Sequence, residues 1–228
     1  MVPIHTMFFL LVGVFVLIGS MRGWAKEILV AVSVILALFV EAVLTTLVPP
    51  IQELWMNVHP MTQFWVRAVI FSVLVLFGYA SPTLSGRLGS KVARERLQDI
   101  LLGFFLGLLN GLLVVGTLWF FLDEAHYGVA DGQWRLEPAT VQVVDASGQP
   151  VFDAENRAVM EPVYDADGNP VMEAVYADDA RGLGEIRPPG RNTTASRILP
   201  YLPPRIIKGA PLYVAVALSF VFVLIVFV

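Results

Sequence analysis

The sequence of 228 residues contains no cysteine. Disulfide staples, thiolate nucleophiles and thiolate metal ligation are therefore excluded. Charge is also scarce. Asp, Glu, Lys and Arg make up 15% of the chain, against about a quarter in ordinary soluble domains. The net charge of −4 leaves no basic surplus for phosphate, so nucleic acid is not an expected partner. The three histidines, His5, His59 and His126, lack paired spacing, and no metal site is expected from them. Ser147 and Ser196 share a segment with His126, but no nucleophile elbow surrounds either serine and the segment is short for a protease fold. The chain reads as a non-enzyme. Its apolar start lacks a basic n-region and an A-x-A site after Ile18, so a cleaved leader is not expected.

What the chain has in abundance is apolar length: 57% of it is hydrophobic. Five runs stand out, at residues 4–21, 28–48, 64–80, 100–122 and 210–228. Each has roughly 17–23 residues, enough at 1.5 Å per residue to cross about 30 Å of hydrocarbon. Buried helices of a soluble bundle would carry charged outer faces, and these runs do not. The expected fold is an all-α integral membrane bundle of about five transmembrane helices with a small extracytoplasmic β-ribbon or irregular domain. Residues 1–122 form a four-helix module, 123–209 an acidic segment and 210–228 a fifth span.

Charge asymmetry predicts orientation. The first short loop carries Arg22 and Lys26, the third carries Arg87, Lys91, Arg94 and Arg96, and residues 49–63 carry neither Lys nor Arg. The positive-inside bias puts loops one and three in the cytoplasm, the N-terminus and residues 123–209 outside, and the C-terminus back in the cytoplasm. Arg205 and Lys208 run against this assignment. Residues 86–98, with Leu84, Leu88 and Val92 in helical register, read as a basic amphipathic turn, first a topology anchor and second a contact for anionic lipid.

The acidic segment repeats itself. Asp145-Ala-Ser-Gly-Gln-Pro-Val-Phe, Asp153-Ala-Glu-Asn-Arg-Ala-Val-Met and Asp165-Ala-Asp-Gly-Asn-Pro-Val-Met alternate Asx-type turns with short runs of β-formers, a hairpin or meander signature. Asp165-Ala-Asp167-Gly168-Asn169 is a turn rather than a calcium loop. The EF-hand positions for Gly and bidentate Glu hold Pro170 and Tyr176. Asn192-Thr193-Thr194 fits a glycosylation sequon. Residues 181–208, rich in Pro, Gly and Arg, read as an extended connector. So little apolar content over this length predicts a ribbon that needs a partner surface.

Polar residues inside spans are expensive unless matched. Glu41 and Arg67 stand at similar depth on consecutive antiparallel helices, and an ion pair is expected between them. Structural pinning is favoured over an ion path. Gly103, Gly107 and Gly111 form a continuous GxxxGxxxG face for close helix packing, with Asn110 beside it. The sequence leaves open whether that face meets the same chain or a partner.

The run Arg22-Gly23-Trp24-Ala25-Lys26-Glu27 and the run from Asp99 through Gly103, Gly107 and Gly111 resemble the colicin V production protein family over roughly residues 6–122. The resemblance implies a four-helix module of the bacterial inner membrane, with suggested roles in export and envelope homeostasis. It departs from the family pattern in having one Arg-Gly step where two are common, and Asn110 where a basic residue is frequent. The protease domain of some relatives does not carry over, because its residues are absent here. Arg22 and Glu27, five apart around Gly23, are expected to hold the turn together. The expectation is a membrane scaffold or accessory subunit of a larger respiratory, photosynthetic or secretory complex. Its partners would be membrane lipids and other membrane subunits or further copies. No cofactor is expected beyond bound lipid. The alternative is an autonomous transporter or channel-like protein with Glu41, Arg67 and Asn110 lining a polar path.

Overall fold

The computed structural model describes residues 3–80, 96–183, 186–190 and 193–227. Two compact units emerge, residues 1–128 with 181–228, and residues 129–180. In the first, the helices are α1 (Ile4–Arg22), α2 (Trp24–Thr46), α3 (Pro49–Asn57), α4 (Pro60–Ala80), α5 (Arg96–Glu124), α6 (Thr194–Ile198), α7 (Pro203–Ile206) and α8 (Ala210–Phe227). α1, α2, α4 and α5 are long and apolar enough to cross a membrane, whereas the apolar helix found in α8 is shorter, Ala210–Phe222. Four spans are thus shown, and the part of α8 whose side chains are described does not decide the expected fifth. Most of the predicted basic turn at 86–98 lies outside the described residues.

Prolines punctuate this unit more finely than the sequence reading allowed. Pro49-Pro50 does end the second apolar run, but it also opens α3, a nine-residue helix where a plain loop was expected. Proline fits the first turn of a helix because its missing N–H has no partner there in any case. Pro203 opens α7 in the same way, and Thr193 caps α6 by accepting from the Ser196 amide. The stretch 181–208 is therefore partly helical rather than uniformly extended.

Lipid offers no hydrophobic drive between helices, so contact depends on close packing. α1 and α5 supply it through glycine. A Cβ on Gly107 would fall 2.6 Å from the Phe15 carbonyl oxygen, and one on Gly111 2.8 Å from the Phe15 Cβ. A Cβ on Gly19 would collide with the Gly103 backbone. The three-glycine face of α5 therefore meets α1 of the same chain. α4 turns Phe64, Ala68, Phe71 and Val75 inward, a stripe at three- and four-residue spacing. It packs mainly on α2, whose Val30, Val34 and Ala37 are fully buried.

The second unit is a branched ribbon. β1 (Trp134–Pro138) pairs antiparallel with β4 (Met172–Tyr176), and β2 (Thr140–Gln142) with β3 (Met160–Pro162). This nested pairing is not a simple meander, because β1 pairs with β4 and β2 with β3 across the intervening repeats. Instead the arms meet at two three-way junctions, each closed by a ring of backbone hydrogen bonds. Val143 N donates to Val159 O, Val159 N to Val151 O, and Val151 N to Val143 O, each at 2.9 Å. Ala139 N donates to Val171 O, Val171 N to Val163 O, and Val163 N to Ala139 O, at 2.7–2.8 Å.

Three hairpin tips leave these junctions at Val144↔Pro150, Phe152↔Ala158 and Tyr164↔Pro170. At each tip an aspartate Oδ1 accepts two amides: Asp145 from Ser147 and Gln149, Asp153 from Glu155 and Arg157, Asp165 from Asp167 and Asn169. Gly148, Asn156 and Gly168 take the left-handed position of each turn. Hydrogen bonds to the charged form hold the carboxyls of Asp145, chiefly from Ser147, and Asp153, chiefly from Arg157, below the usual range.

The glycine contact gives a graded expectation. Gly107→Ala should lower detergent-solubilised stability by about 1–3 kcal/mol through overpacking. Gly13→Ala, with nothing within 4 Å of its new Cβ, should be neutral. Thermal denaturation of both variants checks this, and equal melting temperatures would contradict it.

Candidate functional site

The bundle carries one polar cluster at each end, and each meets the demand that a charge facing hydrocarbon be matched. The first is built on the single-residue turn between α1 and α2. Gly23 holds φ 80 and ψ 159, and a Cβ there would lie 2.6 Å from the Asp99 carboxylate. Asp99 Oδ1, from the first turn of α5, accepts the Trp24 amide at 3.2 Å. It thereby supplies an acceptor to the start of α2, which lacks a side-chain cap of its own.

Glu27 lies one turn further along and is fully buried. Its Oε1 accepts from Arg22 Nη1 at 2.9 Å. Its Oε2 accepts from Asn110 Nδ2 at 2.9 Å, and the same amide donates to the Glu27 carbonyl at 2.9 Å. The Arg22 guanidinium lies 4.4 Å over the ring of Tyr79 on α4. Four helices converge on one carboxylate. Sequence reasoning paired Arg22 with Glu27 but set Asn110 against the glycine face. Asn110 bonds to α2, a partner the sequence left open, and the contacts of Asp99 with Trp24 and of Tyr79 with Arg22 were missed.

The second cluster joins the other ends of α2, α4 and α5. Arg67 Nη2 stands 2.6 Å from Glu41 Oε1, Nη1 pairs with Glu124, and the guanidinium lies 4.2 Å from the Phe121 ring centre. The side chains of Arg67 and Glu41 are only 12% and 13% exposed. Beside them Asp123 pairs with Arg205 Nη2 at 2.7 Å and accepts from the Tyr127 hydroxyl at 3.0 Å. Trp119 Nε1 donates to that hydroxyl at 3.0 Å.

Tyr127 is fully buried although its φ of 57 and that of His126, 48, are left-handed. Burial lowers the His126 pKa against the pull of Asp123. Glu124, Asp123, Arg205 and Tyr127 were not legible as site residues, since the fourth apolar run stops at Leu122 and Arg205 arrives from 82 residues away.

The chain matches the family described as colicin V production protein over residues 4–148. It belongs to that family. No curated protein and no solved structure matches it. Membership of the colicin V production family, together with four spans, makes the chain a multi-pass membrane protein of the inner-membrane type. Among the described residues no group of three or more His, Asp or Glu could hold a metal, and the chain has no cysteine.

Of the residues singled out from sequence, the structure brings together Arg22, Gly23, Glu27 and Asn110 in one cluster and Glu41 and Arg67 in the other. Gly103, Gly107 and Gly111 lie along α1. It does not bring Asn110 to Glu41 and Arg67.

Because Arg67 serves two carboxylates, charge reversal should behave asymmetrically. Glu41→Arg or Arg67→Glu alone should cost about 3–5 kcal/mol, the penalty for stranding a buried charge. The double swap should recover part of that loss, since Glu124 then faces a glutamate. Adding Glu124→Arg should recover more. Melting of the four variants in detergent checks the order, and no recovery in the double or triple variant would contradict pairing.

Proposed function

We propose that this chain is a non-enzymatic scaffold or accessory subunit of a larger membrane complex, whose helical module anchors residues 129–180 for contact with other subunits. One observation carries the reading: from residue 130 to 179 not one side chain is buried. Those 50 positions include exposed Leu136, Val141, Val144, Phe152, Tyr164 and Met172. The unit also carries eleven acidic and two basic residues, a net charge of −9. A backbone-closed ribbon with bare apolar side chains is suited to being covered by a partner. Its charge argues against self-association and for a partner with a basic face.

Orientation follows the same reading. With Lys and Arg on loops one and three and none on residues 49–63, residues 129–180 are extracytoplasmic and the C-terminus of a five-span chain is cytoplasmic. Arg205, which runs against that rule, is matched by Asp123 and so counts for less. The glycine face no longer supports a partner interface, because α1 occupies it. The transporter alternative also loses ground, since Asn110 is engaged with Glu27 and apart from Glu41 and Arg67.

The test replaces residues 129–180 by a short Gly-Ser bridge and compares what co-purifies with each form in mild detergent. The shortened chain should melt like the parent and lose partners that the parent holds at fixed stoichiometry. A parent that purifies alone, or partners retained by the shortened chain, would contradict the reading.

A further inference from the structure

β1 and β4 form a ladder of two strands, and among the described residues no further strand pairs with either outer edge. Ala177 N donates to Gln133 O and Ala139 N to Val171 O, which fixes the phase of the ladder. Glu173 and Val175 therefore turn their backbone groups towards β1, and Met172 and Ala174 turn theirs outward. The same alternation sorts the side chains. The pairs Pro138–Met172, Leu136–Ala174 and Trp134–Tyr176 share one face, which is wholly apolar, while Glu137 stands opposite Glu173 on the other. The edges are not equivalent. β1 ends on Pro138 and β3 on Pro162, both at outward positions, where the missing N–H blunts an edge against further pairing. β2 has only three residues. β4 has five, with no proline among them and Met172 exposed.

We propose that the outer edge of β4 takes up a β-strand of a partner protein, one that alternates apolar and basic side chains. The proposal rests on the reading of residues 129–180 as a docking unit and gives that unit a mode of binding. The outward N–H and C=O groups of Met172 and Ala174 supply main-chain hydrogen bonds, and alternate side chains supply the selection. On one face the incoming apolar side chains extend the row of Met172, Ala174 and Tyr176. On the other an incoming Lys or Arg lies beside Glu173, a favourable cross-strand pair. Arg135, the one basic residue of the two strands, pairs with Glu137 on that face and so does little to repel the newcomer. The net charge of −9 over the unit attracts a basic strand and disfavours a second copy of this chain.

Residue-resolved amide exchange of the full chain in a neutral detergent tests the edge, with a short synthetic peptide alternating lysine and valine as the probe. The peptide should slow the Met172 and Ala174 amides by roughly tenfold, the factor one net hydrogen bond supplies. The Leu136 amide on the opposite edge should keep its rate. Ala174→Pro should abolish the slowing at Met172 while the ladder amides of Glu173 and Val175 stay protected, and Leu136→Pro should preserve it. If Ala174→Pro opens the ladder, peptides with alternate amides methylated take its place: methylation in one phase should abolish the slowing and in the other should not. A peptide of the same composition, with its lysines and valines in separate blocks, should give none. Slowing at Leu136 in place of Ala174, equal slowing by the block peptide, slowing that survives Ala174→Pro, or no slowing would each overturn the assignment. Partners lost with residues 129–180 but held by the Ala174→Pro chain would overturn this edge and leave the docking reading standing.

Discussion

Glu27 is an ionisable side chain fully buried in an apolar bundle, and the surrounding elements are arranged to match it. Its partners, Arg22 and Asn110, reach it from the end of α1 and the middle of α5. That requires α1 to turn into α2 within one residue, which Gly23 permits, and α5 to lie almost backbone to backbone against α1. Gly19, Gly103, Gly107 and Gly111 permit the second. Leaving Glu27 with one partner missing would strand a charge where water cannot reach it. The glycines and the polar residues are therefore parts of one constraint, with dispersion setting the distance and the carboxylate setting the register.

The cluster at the other end works by the same rule with a different outcome. Arg67 ties α2 to α5, and Asp123 ties α5 to Arg205 in α7, so the segments entering and leaving residues 129–180 are both fixed to the bundle. Charges held in closed pairs stabilise helix ends and are poorly suited to passing an ion along. What they hold is an anchored insertion. Its backbone hydrogen bonds close in two rings, yet its side chains remain uncovered. Uncovered side chains on a backbone-closed ribbon support the proposed reading of a subunit whose product is an interface.

Much of this was legible in the sequence because lipid imposes a simple grammar. Long apolar runs, Arg22-Gly23 and the glycine spacing of α5 stood out, since length, charge and small size are local properties. The aspartate tips at 145, 153 and 165 were legible as turns for the same reason. The branching of the ribbon was not, because the hydrogen-bond rings join residues such as Ala139, Val163 and Val171, whose side chains carry no pairing signal. Asn110 was placed beside the glycine face with its partner left open, since a helix position does not say which neighbour a side chain reaches. The bond from Arg205 to Asp123 is a tertiary contact between segments that sequence reasoning treated as connectors.

Amide hydrogen exchange across residues 129–180 tests the account most directly, measured on the purified chain and again in its native membranes. In the purified chain, the amides bonded in the two rings, at the three tips and in the β1–β4 and β2–β3 ladders should resist exchange, and the outward-pointing amides between them should not. In native membranes protection should extend to amides that point away from the ladders, such as those of Leu136 and Met172, as a partner covers them. Identical protection in both settings would mean that the ribbon stands alone, and the account of it as a docking unit would fail.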